Sequence, residues 1–193
     1  MAATFSTMLP LGTAAPDFSL PDVASGRDVS LADFSGRKAL VVVFLCAHCP
    51  FVLHVKDELA RLGRDYADRD VAFVGITAND IADYPEDAPT LTAAFARVAE
   101  ITFPILYDET QSTARAYTAA CTPDFFLFGP DRSLVYRGQL DDSRPGRGTA
   151  NGVNLRAAID ALLADQPANA AQKPSIGCNI KWKRGNEPEY FAR

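Results

Sequence analysis

The hydrophobic pattern changes its period near residue 50, and this change most limits how the chain can fold. Residues 38–45 are dominated by Val, Leu and Phe, which is typical of a strand covered on both faces. After Pro50, apolar residues recur at helical spacing, at Val52, Val55, Leu59 and Leu62. Pro50 suits the first turn of a helix, because its missing N–H would have no partner there. The pattern predicts a buried central strand followed at once by a long helix.

Further strands and helices follow in an order that predicts an α/β fold. Short strands or a hairpin are expected within residues 18–31, strands at 71–77 and 101–107, and a hairpin over 124–137. Helices are expected at 110–117, at 155–163 and around an apolar stripe formed by Leu91, Ala94, Phe95 and Val98. This order indicates one mixed sheet flanked by helices, with an N-terminal β extension. We predict one domain over residues 1–165, and a linker and C-terminal tail over residues 166–193.

The charge balance excludes several classes of partner. The 193 residues carry 19 Lys and Arg against 24 Asp and Glu, a net charge of −5, and no segment has the basic density of a nucleic-acid or membrane-surface binder. The longest apolar run, residues 39–47, is far shorter than the roughly 20 residues of a membrane span. The N-terminus lacks the basic and apolar regions of a secretory signal. We therefore expect a cytoplasmic protein without nucleic-acid or membrane partners.

Two cysteines lie at the predicted junction between strand and helix. Cys46 and Cys49, here called the cysteine pair, enclose Ala47 and His48 in CxxC spacing. Free N–H groups and partial positive charge at a helix N-terminus favour a thiolate, which is the nucleophile of thiol–disulfide exchange. A CxxC near a βαβ pattern is typical of thioredoxin-like redox chemistry. The alternative is a pair of buried packing cysteines.

The motifs around the cysteine pair resemble the redoxin branch of the thioredoxin superfamily. The N-terminal segment of that branch is similar to Gly12-x-x-Ala15-Pro16-Asp17-Phe18-Ser19-Leu20, followed by VSLADFSG at residues 29–36. Thr122-Pro123 resembles the cis-proline loop of the superfamily. The branch includes the alkyl hydroperoxide reductase/thiol-specific antioxidant proteins and the TlpA-like reductases, and the whole pattern is most similar to the uncharacterised peroxiredoxin-like group. The resemblance spans about residues 12–164 and implies a thioredoxin-like fold.

Roles for individual residues follow from their position in the chain and from the resemblance. The strand-to-helix position of the cysteine pair and the helix dipole predict that Cys46 is the nucleophile and the more acidic and exposed thiol, and that Cys49 resolves the mixed disulfide. Thr122 and Pro123 would lie beside the cysteine pair. His48 holds the place of the histidine in strongly oxidising DsbA-like pairs, where it would stabilise the Cys46 thiolate unless it faces solvent. The substrate would be a protein or small-molecule disulfide, a thioredoxin-type partner would re-reduce the pair, and no cofactor is expected.

The chain departs from peroxiredoxins in their Pro-x-x-x-Thr-x-x-Cys motif. Aligned on Cys49, the Thr position is Cys46 and the Pro position is Val42. Leu45 replaces the Trp that usually precedes the first cysteine of thioredoxins. These departures favour disulfide exchange, with weak or absent peroxidase turnover. One alternative is a thiol peroxidase, in which a sulfenic acid condenses with another cysteine. Another is a metal-binding or metallochaperone module that uses the cysteines.

Two further cysteines are candidates for additional redox chemistry. Cys121 lies two residues before Pro123, and Cys178 lies in the tail. There, apolar residues and Cys178 alternate with Gly and polar residues at period two, at Ile176, Cys178, Ile180 and Trp182. This alternation predicts an extended segment with Cys178 inward, packed on the domain or on a neighbouring subunit of an oligomer. Cys178 would approach Cys121 to form a second disulfide or act as a relay for the cysteine pair, although packing alone explains both cysteines almost as well.

The remaining charged candidates are expected to be structural. The acidic residues within 80–87 are interpreted as a solvated surface loop. Arg144 and Arg147 lie in a Gly/Pro-rich loop, where solvation is favoured over a role in raising positive potential near the thiols. His54 is expected to be a partly buried helix residue.

Overall fold

Ten strands and four α-helices are found in residues 3–192, the part of the chain that the computed structural model describes. The strands are β1 (Ala3–Phe5), β2 (Ser19–Pro21), β3 (Asp28–Ser30), β4 (Ala39–Phe44), β5 (Val71–Thr77), β6 (Ile105–Tyr107), β7 (Cys121–Thr122), β8 (Asp124–Phe128), β9 (Leu134–Gly138) and β10 (Ile176–Asn179). The α-helices are α1 (Pro50–Asp65), α2 (Pro89–Val98), α3 (Ser112–Ala116) and α4 (Val153–Leu163).

Strand β4 lies at the centre of a five-stranded mixed sheet with the order β6-β5-β4-β8-β9. β5 pairs in parallel with β4 and β6, whereas β8 pairs antiparallel with β4 and β9. Every residue of β4 is buried, because alternate residues enter two hydrophobic clusters on opposite faces of the sheet. The helix-side cluster contains Val41 and Val43 with apolar residues of α1 and α4, and the opposite cluster contains Leu40, Val42 and Phe44. The predicted α/β fold with a central mixed sheet is confirmed.

Helix α1 begins where the sequence predicts it to begin. Pro50 is its first residue and Cys49 is its N-cap. The predicted apolar stripe is buried in the helix-side cluster, at Val52, Val55, Leu59 and Leu62. The strand–helix unit therefore follows from the change of hydrophobic period.

Helix α2 departs from its predicted stripe. Leu91 and Val98 are 51% and 79% exposed, so they are not core residues, although Phe95 packs against the helix-side cluster. Thr92 is fully buried instead, and its hydroxyl donates a hydrogen bond to the Asp87 carbonyl at 3.1 Å. This contact turns a polar residue inward and leaves both ends of the predicted stripe in solvent.

The C-terminal segment builds a second sheet with the order β1-β10-β7, in which β10 pairs antiparallel with both neighbours. Cys178 packs in the helix-side cluster, whereas Ile180 and Trp182 pack in the opposite cluster. The prediction that these residues share one face is therefore wrong, because the segment contributes to both sides of the central sheet. The division at residue 165 stays a prediction, and residues 1, 2 and 193, which it includes, lie outside the described residues.

No helix within residues 3–192 is both long enough and apolar enough to cross a membrane.

Candidate functional site

The CxxC segment connects the end of β4 to the start of α1. Cys46 is 1% exposed and Cys49 is 0% exposed, and both are free thiols. Because α1 begins at Pro50, Cys49 is the residue next to the free N–H groups of the first turn, and Cys46 lies three residues before it. The expectation that Cys46 is the exposed thiol is wrong, since both sulfurs are enclosed.

Thr122, in the predicted cis-proline loop, contacts both sulfurs. The peptide bond between Thr122 and Pro123 is cis. The Thr122 hydroxyl lies 3.4 Å from the Cys46 Sγ, and the Thr122 carbonyl accepts a hydrogen bond from the Cys49 thiol at 3.1 Å. One residue of this loop therefore positions the cysteine pair.

A buried carboxylate lies beside the first half of the CxxC segment. Asp87 is fully buried and accepts hydrogen bonds from the backbone N–H groups of Ala47 at 3.0 Å and His48 at 3.3 Å. The Asn79 amide donates to the same carboxylate at 2.7 Å. Interpreting 80–87 as a solvated loop is thus wrong at Asp87. Nothing local in the sequence separates Asp87 from its acidic neighbours, because its donors come from other segments of the chain.

His48 is held between Asp87 and Tyr84. Its Nδ1 lies 2.7 Å from an Asp87 carboxylate oxygen, and because a carboxylate only accepts, Nδ1 carries the proton. The imidazole stacks on Tyr84 with ring centroids 5.9 Å apart and 9° between the planes. The His48 side chain is 15% exposed and therefore does not simply face solvent.

Cys46, His48 and Asp87 form the only cluster of potential metal ligands of this size found in residues 3–192. The Cys46 Sγ, a ring nitrogen of His48 and a carboxylate oxygen of Asp87 lie within 4.8 Å of one another. Thiolate, imidazole and carboxylate are all zinc ligands. However, each Asp87 oxygen already accepts two hydrogen bonds, and a metal would have to replace them. The cluster is therefore better suited to orienting His48 than to holding an ion.

The surroundings shift the pKa values of the two thiols in opposite directions. A hydrogen bond from the Cys46 thiol lowers the pKa of Cys49; burial opposes this shift, and Thr122, Cys178 and the Val52 N–H lower the pKa further. The same hydrogen bond raises the pKa of Cys46, as do burial and the charge of Asp87. These directions favour Cys49, not Cys46, as the more acidic thiol. Cys49 holds the N-cap of α1, where helix N–H groups favour negative charge.

The structure separates Cys121 from Cys178. Cys178 opposes Thr122 across the β7–β10 pair, whereas Cys121 opposes Asn179. Successive residues of a strand point to opposite faces, so Cys121 and Cys178 also point apart, and a disulfide between them would require backbone movement. The Cys121 thiol is fully buried and instead donates to the Pro123 carbonyl at 3.7 Å. Cys178 is the tail cysteine that reaches the cysteine pair.

A cleft lined in part by Pro123 also contains two of the remaining candidate residues, His54 and Arg144. His54 is half-buried, as expected, and its Nε2 lies 2.8 Å from the Ser143 hydroxyl. The Arg144 guanidinium donates to the Gln139 side chain at 2.6 Å and to two backbone carbonyls, so it is partly buried rather than solvated. Arg147 is exposed. The Arg144 guanidinium is therefore hydrogen-bonded within its own loop and to Gln139.

Comparison with known proteins places the chain in a family. The AhpC/TSA family matches residues 11–137. The chain belongs to the AhpC/TSA family. A Mycobacterium tuberculosis protein named "Putative peroxiredoxin Rv2521" is 33% identical over 116 residues, which are 60% of this chain and 68% of that protein.

Solved structures extend the likeness of this AhpC/TSA protein over nearly its whole length. An uncharacterized conserved protein from Geobacillus kaustophilus is 53% identical with a TM-score of 0.92, covering 95% of this chain and 97% of that one. The thioredoxin domain of a thiol-disulfide oxidoreductase from Bacteroides vulgatus is similar in fold, at 19% identity and a TM-score of 0.57, covering 70% of this chain and 90% of that one. The resemblance to redoxins and the thioredoxin-like fold are confirmed.

Proposed function

We propose that this AhpC/TSA protein is a thiol–disulfide oxidoreductase whose cysteine pair alternates between a dithiol and a disulfide. One observation carries the proposal. Both sulfurs contact Thr122 in the cis-proline loop: the Cys46 Sγ lies 3.4 Å from the Thr122 hydroxyl, and the Cys49 thiol donates to the Thr122 carbonyl at 3.1 Å. Redoxins act on disulfide or peroxide substrates with thioredoxin-type reductants, and we extend this partnership to the present chain, together with a cytoplasmic location.

The pKa directions support roles within the cysteine pair that are the reverse of the sequence-based expectation. The Cys49 thiolate attacks one sulfur of a substrate disulfide, forms a mixed disulfide and releases the other half as a thiolate. Cys46 then loses its proton and attacks the Cys49 sulfur, which closes the Cys46–Cys49 bond and releases the second half of the substrate. His48 and Asp87 lie within 4.8 Å of the Cys46 Sγ and are placed to take up that proton.

Burial of the cysteine pair favours a small substrate. Neither sulfur is more than 1% exposed, so the surface of a folded protein does not reach it without displacement of a covering segment. A low-molecular-weight disulfide requires a smaller opening. We therefore propose a small disulfide as the substrate; reduction by a thioredoxin-type protein requires displacement of that covering segment.

The test is turnover of oxidised glutathione by thioredoxin, thioredoxin reductase and NADPH in the presence of this protein. We expect Cys49→Ser to lower the rate about 1,000-fold or more, because it removes the attacking thiolate. Cys121→Ser is the matched control, because it replaces a buried cysteine outside the pair and should retain turnover. Wild-type turnover in Cys49→Ser, or oxidised wild-type protein without a Cys46–Cys49 disulfide, would contradict the proposal.

A thiol peroxidase is the second candidate function. It is favoured by the lowered pKa of Cys49, which holds the position of the peroxidatic cysteine in the family motif, and by the name of the Mycobacterium tuberculosis relative. Against it, Val42 occupies the Pro position of the peroxiredoxin motif. Val42 lies in the middle of β4, paired with Val74 and Phe126, where a proline would remove a ladder hydrogen bond from the central sheet. With hydrogen peroxide in place of glutathione disulfide, we expect kcat/KM to be at least about tenfold lower; the reverse order would identify a peroxidase.

A further inference from the structure

Cys178 joins the thiol cluster although it lies beyond residues 11–137, where the family match ends. In the β7–β10 pair it directly opposes Thr122, whose carbonyl accepts the hydrogen bond from Cys49. Directly opposed residues of antiparallel strands project to the same face. Cys178 is 3% exposed and packs in the helix-side cluster with the cysteine pair, and its thiol contributes to the lowered pKa of Cys49. Three thiols therefore share one enclosed site.

Gly177 permits this approach. A Cβ at position 177 would lie 2.0 Å from the Thr122 carbonyl oxygen and 2.6 Å from the Thr122 carbonyl carbon. Both are backbone atoms, which do not move aside as the end of a flexible side chain does. Any side chain at residue 177 would therefore push β10 away from the cis-proline loop.

Hydrogen bonds to other parts of the chain fix the segment after β10, independently of the β7–β10 pair. The Lys181 N–H donates to the Asn79 side chain at 2.8 Å, and the Lys181 carbonyl accepts hydrogen bonds from the Asp80 N–H at 2.8 Å and from the Gln111 amide at 2.9 Å. Asn79 also donates to Asp87, so the tail and the CxxC segment share a support. Cys178 is thus held beside Cys49 by contacts on both sides of it.

We propose that Cys178 is a third redox-active thiol, which exchanges with the disulfide of the cysteine pair. The step rests on the proposed function, since it starts from a Cys46–Cys49 disulfide. Cys178, on losing its proton, attacks the Cys49 Sγ. The Cys49–Cys178 bond forms, the Cys46–Cys49 bond breaks, and Cys46 takes the electron pair and a proton. The exchange has no net oxidation and needs no further reactant.

The surroundings of Cys46 favour its release as a thiol. A thiolate of high pKa is a poor leaving group unless it is protonated, and the charge of Asp87 opposes a thiolate at Cys46. His48 lies in the same cluster as the Cys46 Sγ and can supply the proton. The exchange therefore moves the disulfide from the CxxC segment to the tail and ties β10 covalently to the N-cap of α1.

The Cys46→Ser variant isolates the chemistry of Cys178. Oxidised glutathione converts Cys49 to a mixed disulfide and releases one glutathione, after which attack by Cys178 releases the second and leaves a Cys49–Cys178 disulfide. We expect peptide mass spectrometry of acid-quenched samples to identify this disulfide. The glutathione adduct should decay at least about tenfold faster than in Cys46→Ser/Cys178→Ser, because a neighbouring thiol has a high effective concentration.

Cys46→Ser/Cys121→Ser is the matched control, and it should retain the fast decay because Cys121 faces away from the site. A persistent glutathione adduct on Cys49 in Cys46→Ser overturns the proposal. A bridge from Cys49 to Cys121 in that variant also overturns it.

Oxidation of the wild-type protein tests the exchange without depending on the folding of a variant. After partial oxidation and an acid quench, we expect to recover the Cys49–Cys178 disulfide beside Cys46–Cys49. In addition, Gly177→Val should lose the Cys49–Cys178 disulfide and keep Cys46–Cys49. Wild-type protein that holds Cys46–Cys49 alone overturns the exchange and leaves the proposed function intact. Wild-type protein without Cys46–Cys49 overturns the proposed function, while the Cys46→Ser arm still decides whether Cys178 is redox-active.

Discussion

The two sulfurs of the cysteine pair are equally buried, yet their surroundings are opposite in character. The Cys46 side contains the Asp87 carboxylate, whose charge raises the pKa of Cys46. On the Cys49 side the Cys46 thiol is the largest cause of a lowered pKa, and Thr122, the Cys178 thiol and the Val52 N–H at the start of α1 lower the pKa of Cys49 further. Burial acts on both thiols in the same direction, so it does not separate them. What separates the two thiols is the position of each sulfur relative to the start of α1 and to the Asp87 carboxylate.

This difference explains why the order of cysteines in a CxxC is an incomplete guide to their roles. From the general effect of a helix N-terminus, the sequence predicts the thiolate at Cys46. That effect falls off within the first turn, so the exact start of the helix matters. Here Pro50 starts α1, which makes Cys49 the N-cap.

The largest expected effect is a loss of stability when the Asp87 carboxylate, on the Cys46 side, is removed. Asp87→Ala leaves four buried or half-buried N–H donors without an acceptor, on Ala47, on Asn79 and at the backbone and ring of His48. We expect urea unfolding to show a loss of about 3–5 kcal/mol in the free energy of unfolding. The matched control is Asp57→Ala on α1, whose side chain is 71% exposed and should change stability by about 0.5 kcal/mol or less. Equal losses in the two variants would contradict the role given to Asp87.

The fold was predictable where the hydrophobic pattern is long and regular. The strand predicted at 71–77 matches β5, and the run at 38–45 contains β4. In contrast, β1 and β7 have three and two residues, too few to show a period. They form because β10 pairs with both, a long-range contact that local pattern does not contain.

The candidate site was predictable only in its local part. The CxxC spacing and Thr122-Pro123 are contiguous motifs, and the structure brings them together. Asp87 and Cys178 come from distant segments, and their relevance depends on which side of a loop or strand they face. Sequence alone predicts that Asp87 is one of several solvated acids, and it does not decide whether Cys178 has a packing or a redox role.

Asp124 is a second buried carboxylate, and it lacks the dense set of hydrogen-bond donors that surrounds Asp87. Burial raises the pKa of Asp124 to about 7 from 3.8, although hydrogen bonds from Ser6 and the Ala120 N–H oppose the shift. Between these values the folded protein holds a proton that the unfolded chain has lost, so stability falls as pH rises from about 4 to 7.

Asp124→Asn removes this titration. In urea unfolding at several pH values, we expect the variant to lose the decline in stability between pH 4 and 7 that Asp124 causes. At pH 8 it should exceed the wild type by about 2–4 kcal/mol, since one pKa unit corresponds to about 1.4 kcal/mol. Asp57→Asn, at an exposed position, should keep the wild-type slope. An unchanged slope in Asp124→Asn would show that another group causes the pH dependence.

The smallest expected effects are changes in the pKa of Cys49 when the Cys46 or the Cys178 thiol is removed. A hydrogen bond to a charged group contributes about 1.5–3 kcal/mol, so Cys46→Ala should raise the pKa of Cys49 by about 1–2 units. Cys178→Ala should raise it by less, about one unit or below, because the Cys178 thiol is a lesser cause of the shift than the Cys46 thiol. Thiolate absorbance in the ultraviolet, followed against pH in the reduced variants, measures both shifts without requiring a reagent to reach buried sulfurs. If Cys49→Ser retains the low-pH thiolate signal, then Cys46 carries the charge and the comparison of the two sides is reversed.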